Sequence, residues 1–221
     1  GTAGTGGAGG GGAGGNENCG GVASGTANTG GGGGGTRDPG DTTSGAGGSG
    51  IVITSIKTVG DAFAYTSSIP NAPITTPDGF TYIAEFKASA TLNIKDNACG
   101  TAFDYLVIAG GGSGGSDSGG GGGAGGFRSS FPGGKKLVLS PGTNPVTIGA
   151  GGAGGSPSSA STSGADSKVG AIFTSGGGNG GWQNCTPAKN GTPGGSGGGA
   201  RYNCGASGGA GNVQPTAPVQ G

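Results

Sequence analysis

Apolar residues in this chain are gathered into short blocks, and the spacing inside the blocks is that of strands. Ile51-Val52-Ile53, continued by Ile56 and Val59, predicts one strand, and Ala62–Tyr65 a second. Phe80–Phe86 and Ala90–Ile94 alternate in part, as half-buried strands do. Before them, Ser68–Gly79 carries Pro70, Pro73 and Pro77 and ends in Pro77-Asp78-Gly79, a turn signal. Phe103–Ile108 is apolar except at Asp104, which predicts a strand buried on both faces or nearly so. Lys136–Leu139, Pro145–Ile148 and Val169–Phe173 follow as single strands. No stretch repeats apolar residues at helical spacing, so essentially no α-helix is expected.

Between these strands the chain is glycine. The blocks are Ala109–Gly126, Gly149–Gly155, Gly176–Gly181, Gly194–Gly199 and Gly205–Gly211. The division that follows is a glycine-rich arm over 1–50, a small β domain over 51–108, a glycine-rich lattice domain over 109–211, and an extended tail over 212–221. The tail carries Pro215 and Pro218.

Composition makes the glycine blocks a physical problem. Glycine supplies 65 of 221 residues, against a usual share of about 7%. Leu, Ile, Val and Phe together supply only 30, below the roughly 20% of ordinary globular cores. Ordering glycine costs more backbone entropy than ordering any other residue, and so few apolar side chains cannot offset that cost by burial alone. The net charge is zero, so self-repulsion does not hold the chain open. A glycine segment can adopt a left-handed helix with three residues per turn and no internal hydrogen bonds. Several such polyglycine II-like helices, packed side by side, can satisfy one another's N–H and C=O groups. The expected fold is therefore mostly β and irregular: short strands plus packed glycine helices. Collagen is excluded, because Asp117 breaks the three-residue glycine register and the blocks lack proline.

The four cysteines, Cys19, Cys99, Cys185 and Cys204, form no CxxC pair, and the chain has no His. Two disulfides in an oxidising compartment fit better than a zinc site. Three pairings exist. Cys185 and Cys204 flank one glycine block and are favoured together, leaving Cys19 with Cys99. A first residue of Gly1 and no Met anywhere lead us to expect a processed product. No apolar run approaches the roughly 20 residues that cross a membrane as a helix. Dispersed Lys and Arg at zero net charge argue against a nucleic-acid partner.

Three stretches taken in order carry a resemblance. They are Phe103-Asp104-Tyr105-Leu106-Val107-Ile108-Ala109-Gly110-Gly111-Gly112-Ser113-Gly114-Gly115, Gly121–Ser130 with Phe127-Arg128 at its centre, and Pro145–Gly155. Gly164–Gly170 and Gly176–Gly181 continue the order. Over about residues 80–211 the chain resembles the glycine-rich domain of tailed-phage tail-fibre and tail-tip proteins. The resemblance implies a small β-structure feeding a bundle of glycine helices, and a role in virion attachment to the host surface. A self-assembling subunit of an extracellular filament or surface layer is the alternative.

Catalysis has little to work with. Without His there is no Ser-His or Cys-His pair, and isolated Asp residues in turns, such as Asp78 and Asp96, are ordinary turn formers. Gly110–Gly115 follows a strand as a dinucleotide loop would, but more glycine follows it where a helix is needed. We expect no enzyme activity, no metal and no cofactor. Recognition would reside in loops between glycine blocks, and Trp182, Gln183, Asn184, Arg201, Tyr202 and Asn203 are the candidate receptor contacts. Trp182 also suits a cap on the lattice end, and Arg128 suits a structural donor to backbone carbonyls. Expected partners are other virion or filament subunits, copies of the chain itself in a homo-oligomer, and a host-surface glycan or outer-membrane protein. The expected location is extracellular or in the virion.

Overall fold

A computed structural model describes residues 2–16, 22–37, 43–57, 65–67, 74–75, 81–94, 101–182, 187–202 and 205–214. Within them lie eleven strands, one 3-10 turn at Pro187–Lys189, and no α-helix. The strands are β1 (Ile51–Lys57), β2 (Tyr65–Ser67), β3 (Ile74–Thr75), β4 (Thr81–Phe86), β5 (Ala90–Ile94) and β6 (Thr101–Ile108). After the first long glycine block come β7 (Phe127–Ser129), β8 (Leu137–Leu139), β9 (Gly142–Thr147), β10 (Ser167–Val169) and β11 (Ile172–Thr174).

All pairings are antiparallel. One sheet runs β3-β4-β1-β6-β7, with β8 paired to the start of β6. The other runs β11-β10-β9-β5-β2. One apolar core lies between the two sheets. Val52, Phe86, Phe103 and Val107 come from the first, and Leu92, Val146 and Val169 from the second. Alternation decides which side chains enter it. Phe103, Tyr105 and Val107 of β6 are buried while Asp104, Leu106 and Ile108 are only partly covered. The sequence predicted a strand buried on both faces or nearly so, and β6 has one face in the core and the other partly covered.

Two differences, and one tolerated proline, have local causes. Val169–Phe173 is not one strand, because Gly170 takes φ +53° and turns the chain back, so that Val169 faces Ile172 in a hairpin. β7 is only three residues long and follows directly on a glycine block, too short to leave a periodic signal. Pro145 sits inside β9, which is tolerated because β10 pairs only with Val146 and Thr147, leaving Pro145 opposite Thr91 alone. The predicted strand at Ala62–Tyr65 and the turn at Pro77-Asp78-Gly79 fall largely outside the described residues.

The glycine blocks leave the edge of this sandwich as segments that bond mainly to one another, with a link to the strands where Gly149 N donates to Ser167 Oγ of β10 at 2.8 Å. Residues 109–116 lie at their centre, and their N–H groups spread to three neighbours with a period of three. Ala109, Gly112 and Gly115 donate to Gly126, Gly123 and Gly120. Gly110 and Ser113 donate to Ala165 and Thr162, and Gly111 and Gly114 to Gly48 and Gly45. The carbonyls turn to three others: Gly110 and Ser113 accept from Gly177 and Gly180, Gly112 and Gly115 from Gly33 and Thr36, and Gly111 from Gly152. These six neighbours also bond to one another in a closed ring, through pairs such as Gly47 with Gly152, Gly164 with Gly177, Gly123 with Gly178 and Gly122 with Gly33.

This packing explains the composition. A β-carbon on Gly112, Gly122 or Gly177 would overlap a carbonyl oxygen of a neighbouring segment. The rare side chains inside are small hydroxyls that take a backbone group's place. Ser113 Oγ donates to Thr162 O at 2.9 Å, and Ser44 Oγ donates to Gly114 O at 2.6 Å while accepting from Gly155 N at 2.8 Å. Residues 43–50, placed by the sequence in a separate arm, run inside this array beside residues 109–116.

Candidate functional site

The hydrogen-bond register sets two levels in the array. Gly30, Gly50, Ala109, Gly126, Gly149 and Ala165 share the level next to the strands, through bonds such as Ala109 to Gly126 and Gly50 to Gly149. Thr36, Ser44, Gly115, Gly120, Gly155 and Gly181 share the opposite level, through Thr36 to Gly115, Ser44 to Gly155 and Gly120 to Gly181. The chain therefore turns at the far end after 36, 116, 155 and 181. Loops widely separated in sequence are gathered at one end of a mutually hydrogen-bonded support.

One group of these loops is built around Asp117 and Ser118. Both take positive φ, 55° and 59°, which lets the chain reverse between two packed segments without glycine. Arg201 stabilises the reversal. Its Nε donates to Asp117 O at 2.7 Å, Nη2 reaches Asp117 Oδ2 at 3.1 Å, and Nη1 donates to Tyr202 O at 2.8 Å. Ser118 Oγ donates to Arg37 O at 2.6 Å, and Tyr202 N donates to Ser118 O at 3.0 Å. Three loops are thus joined by backbone acceptors. Between them lies an open cleft of about 630 Å³, bordered by Tyr202, Arg37, Thr36 and Ser118. Tyr202 is 79% exposed. Thr36 is buried, and its Oγ1 has no partner among the described residues.

The predicted contacts separate on this geometry. Tyr202 is at the rim with its ring free of the array. Arg201 is buried and fully engaged with the loop, so it acts as a support rather than a contact. Trp182 is half-buried at the end of its glycine segment, with its backbone N–H donating to Ala188 O at 2.9 Å. Gln183, Asn184, Asn203 and all four cysteines, Cys19, Cys99, Cys185 and Cys204, lie outside the described residues. Arg128 donates to Phe173 O, as a structural arginine would. Thr36, Arg37 and Ser118 were not singled out from sequence, and Asp117 was noted only as a break in the glycine register. The available signal was the Asp117-Ser118 pair, which interrupts an otherwise small-residue block.

The described carboxylates are each engaged. Asp104 accepts from Lys136 Nζ at 2.8 Å and Ser130 Oγ at 3.0 Å. The Lys136 hydrogen bond, then Ser130 and the lysine charge, outweigh partial burial and hold its carboxyl below the usual value of 3.8. Asp166 accepts from Gly176 N at 2.8 Å, Asp117 pairs with Arg201, and Glu85 with Lys87 at 3.2 Å.

Residues 86–220 match the glycine-rich domain family. No curated protein and no solved structure matches the chain significantly.

Proposed function

The chain belongs to the glycine-rich domain family, and from the loops at the far end of its array we propose that it is a non-enzymatic adhesive structural protein that binds a host-surface glycan. The observation that carries this reading is the cleft between three tied loops, with the exposed ring of Tyr202 on its rim and hydroxyl and guanidinium groups beside it. Such a ring offers a flat apolar face with a polar tip, and the surrounding hydroxyl and amide groups suit a polyhydroxylated ligand. The array supplies rigidity, so loops that would otherwise lose entropy on binding are held in place beforehand.

The sequence resemblance over about residues 80–211 extends this proposal to a virion tail fibre or tail tip, working outside the cell. The test is binding of the labelled full chain to a glycan array, alongside Tyr202→Ala. Binding of the native chain, lost in the variant with its melting temperature unchanged, is expected. Equal glycan binding by both, or none by either, would overturn the assignment of this cleft.

A further inference from the structure

The closed ring of six around residues 109–116 sets a standard against which the other segments can be compared. Residues 30–36 have five neighbours. Gly33 and Thr36 donate to residues 112 and 115, and Gly34 donates to Ala23. Their carbonyls accept from Gly122 and Gly125, from Gly45 and Gly48, and from Gly12 and Gly15. These neighbours bond to one another around the segment, except between residues 11–16 and residues 119–126. There the ring is open.

The gap is a groove of about 550 Å³, walled by residues 4–14, 31–35 and 119–124. The missing neighbour is also visible in the bonding. Among the described residues, the N–H groups of Gly32 and Gly35, and those of Gly121 and Ala124, have no acceptor. Each pair has the three-residue spacing by which filled positions of the array are bonded. A β-carbon on Gly121 would meet only Gly33 O at 3.8 Å, whereas one on Gly122 would overlap Gly112. The groove therefore has the form and donors of one more glycine segment.

We propose that this groove is a docking site for the first segment, residues 2–7, of a second copy of the chain. Three observations favour that occupant. The groove admits a chain with almost no side chains on its inner faces, and the glycine segments of this protein are the ones shown to pack in this way. Residues 2–7 offer the acceptors that the groove's donors lack: Gly4 O and Gly7 O are taken by Gly14 N and by Gly10 N and Gly11 N, but the carbonyls of Thr2 and Thr5, and of Ala3 and Gly6, each pair at three-residue spacing, accept nothing among the described residues, and the β-carbon positions of Gly4 and Gly7 meet nothing within 4 Å. Gly4 and Gly7 are three residues apart and so share a face, leaving Thr2 and Thr5 on another. Finally, residues 4–7 themselves border the groove. One two-fold axis parallel to the segments then places the first segment of each copy in the groove of the other and closes both rings, as an isologous interface requires.

Sedimentation velocity on the full chain tests this, with Gly121→Val as the variant that fills the groove while leaving the packed side of its segment untouched. The native chain is expected to form dimers, and Gly121→Val to weaken them by at least about tenfold with an unchanged melt. Tyr202→Ala, which alters the loop cleft instead, is expected to dimerise normally. Amide exchange of the native chain gives a second reading that needs no variant: Gly32, Gly35, Gly121 and Ala124 should become protected as concentration rises. A native chain that stays monomeric, a Gly121→Val dimer as tight as native, or four amides that exchange rapidly at every concentration would each overturn the proposal. So would a monomeric native chain that binds a synthetic peptide of residues 1–9, because the occupant would then be a foreign glycine segment.

Discussion

Two adjacent glycines give the sharpest prediction about the array. Gly122 and Gly121 have the same residue type, the same segment and different surroundings. A β-carbon on Gly122 would overlap Gly112 O and lie 2.6 Å from Gly112 C, where ordinary contacts begin at 3.4 Å. The obstacle is backbone and cannot rotate away, so the two segments must separate. Three hydrogen bonds cross at that point: Gly122 to Gly33, Gly33 to Gly112, and Gly112 to Gly123, each at 2.9 Å. At about 1 kcal/mol net for each, Gly122→Ala should cost about 3 kcal/mol, and more where a buried group is left unpaired. For a chain of this length that lowers the melting temperature by about 6–12 °C. Gly121→Ala meets open space and should be neutral, or more stable by about 0.4–1 kcal/mol through the unfolded chain. Thermal melts at low protein concentration compare the two. Equal effects would refute close packing of the segments.

Other expectations can be measured alongside. Arg201→Met leaves Asp117 and two loop carbonyls without their donor and should cost about 3 kcal/mol or more in chemical denaturation, while Asp117→Asn, which keeps backbone acceptor and shape, should cost less. Asp104→Asn should cost no more than about 1 kcal/mol at neutral pH, because its pair with Lys136 is on the surface. Since the folded carboxyl titrates below its ordinary value, that contribution is present above 3.8 and is lost as pH falls through the lowered folded value, so the native and variant melts should converge in acid. Mass spectrometry without reduction should find no alkylatable thiol among Cys19, Cys99, Cys185 and Cys204.

The strands were legible wherever apolar residues alternate over four or more positions. Ala90–Ile94 is β5 to the residue, and Ile51–Lys57 extends the Ile51-Val52-Ile53 signal through Ile56. Three-residue strands were legible only where they carry an apolar block of their own: Leu137–Leu139 lies within the predicted Lys136–Leu139, whereas Phe127–Ser129 is ordered by β6 beside it rather than by its own pattern. The need for lateral pairing between glycine blocks followed from composition. Which block lies beside which did not, since identical glycines carry no address. The neighbours of residues 109–116 are fixed by the strands that lead into and out of each block. The same limit hid the cleft: Arg37 and Tyr202 are far apart in sequence, and only the level of the far-end loops brings them to one site.

The central claim is that the glycine segments are a mutually bonded solid rather than linkers. Amide hydrogen exchange at residues 110–115 tests it most directly, because these N–H groups are all bonded to other segments of the array, two to each of three neighbours. The account predicts strong protection at all six positions, comparable with that of Val52 and Val107 in the β core. Exchange at random-coil rates across residues 110–115, with the β core still protected, would contradict it.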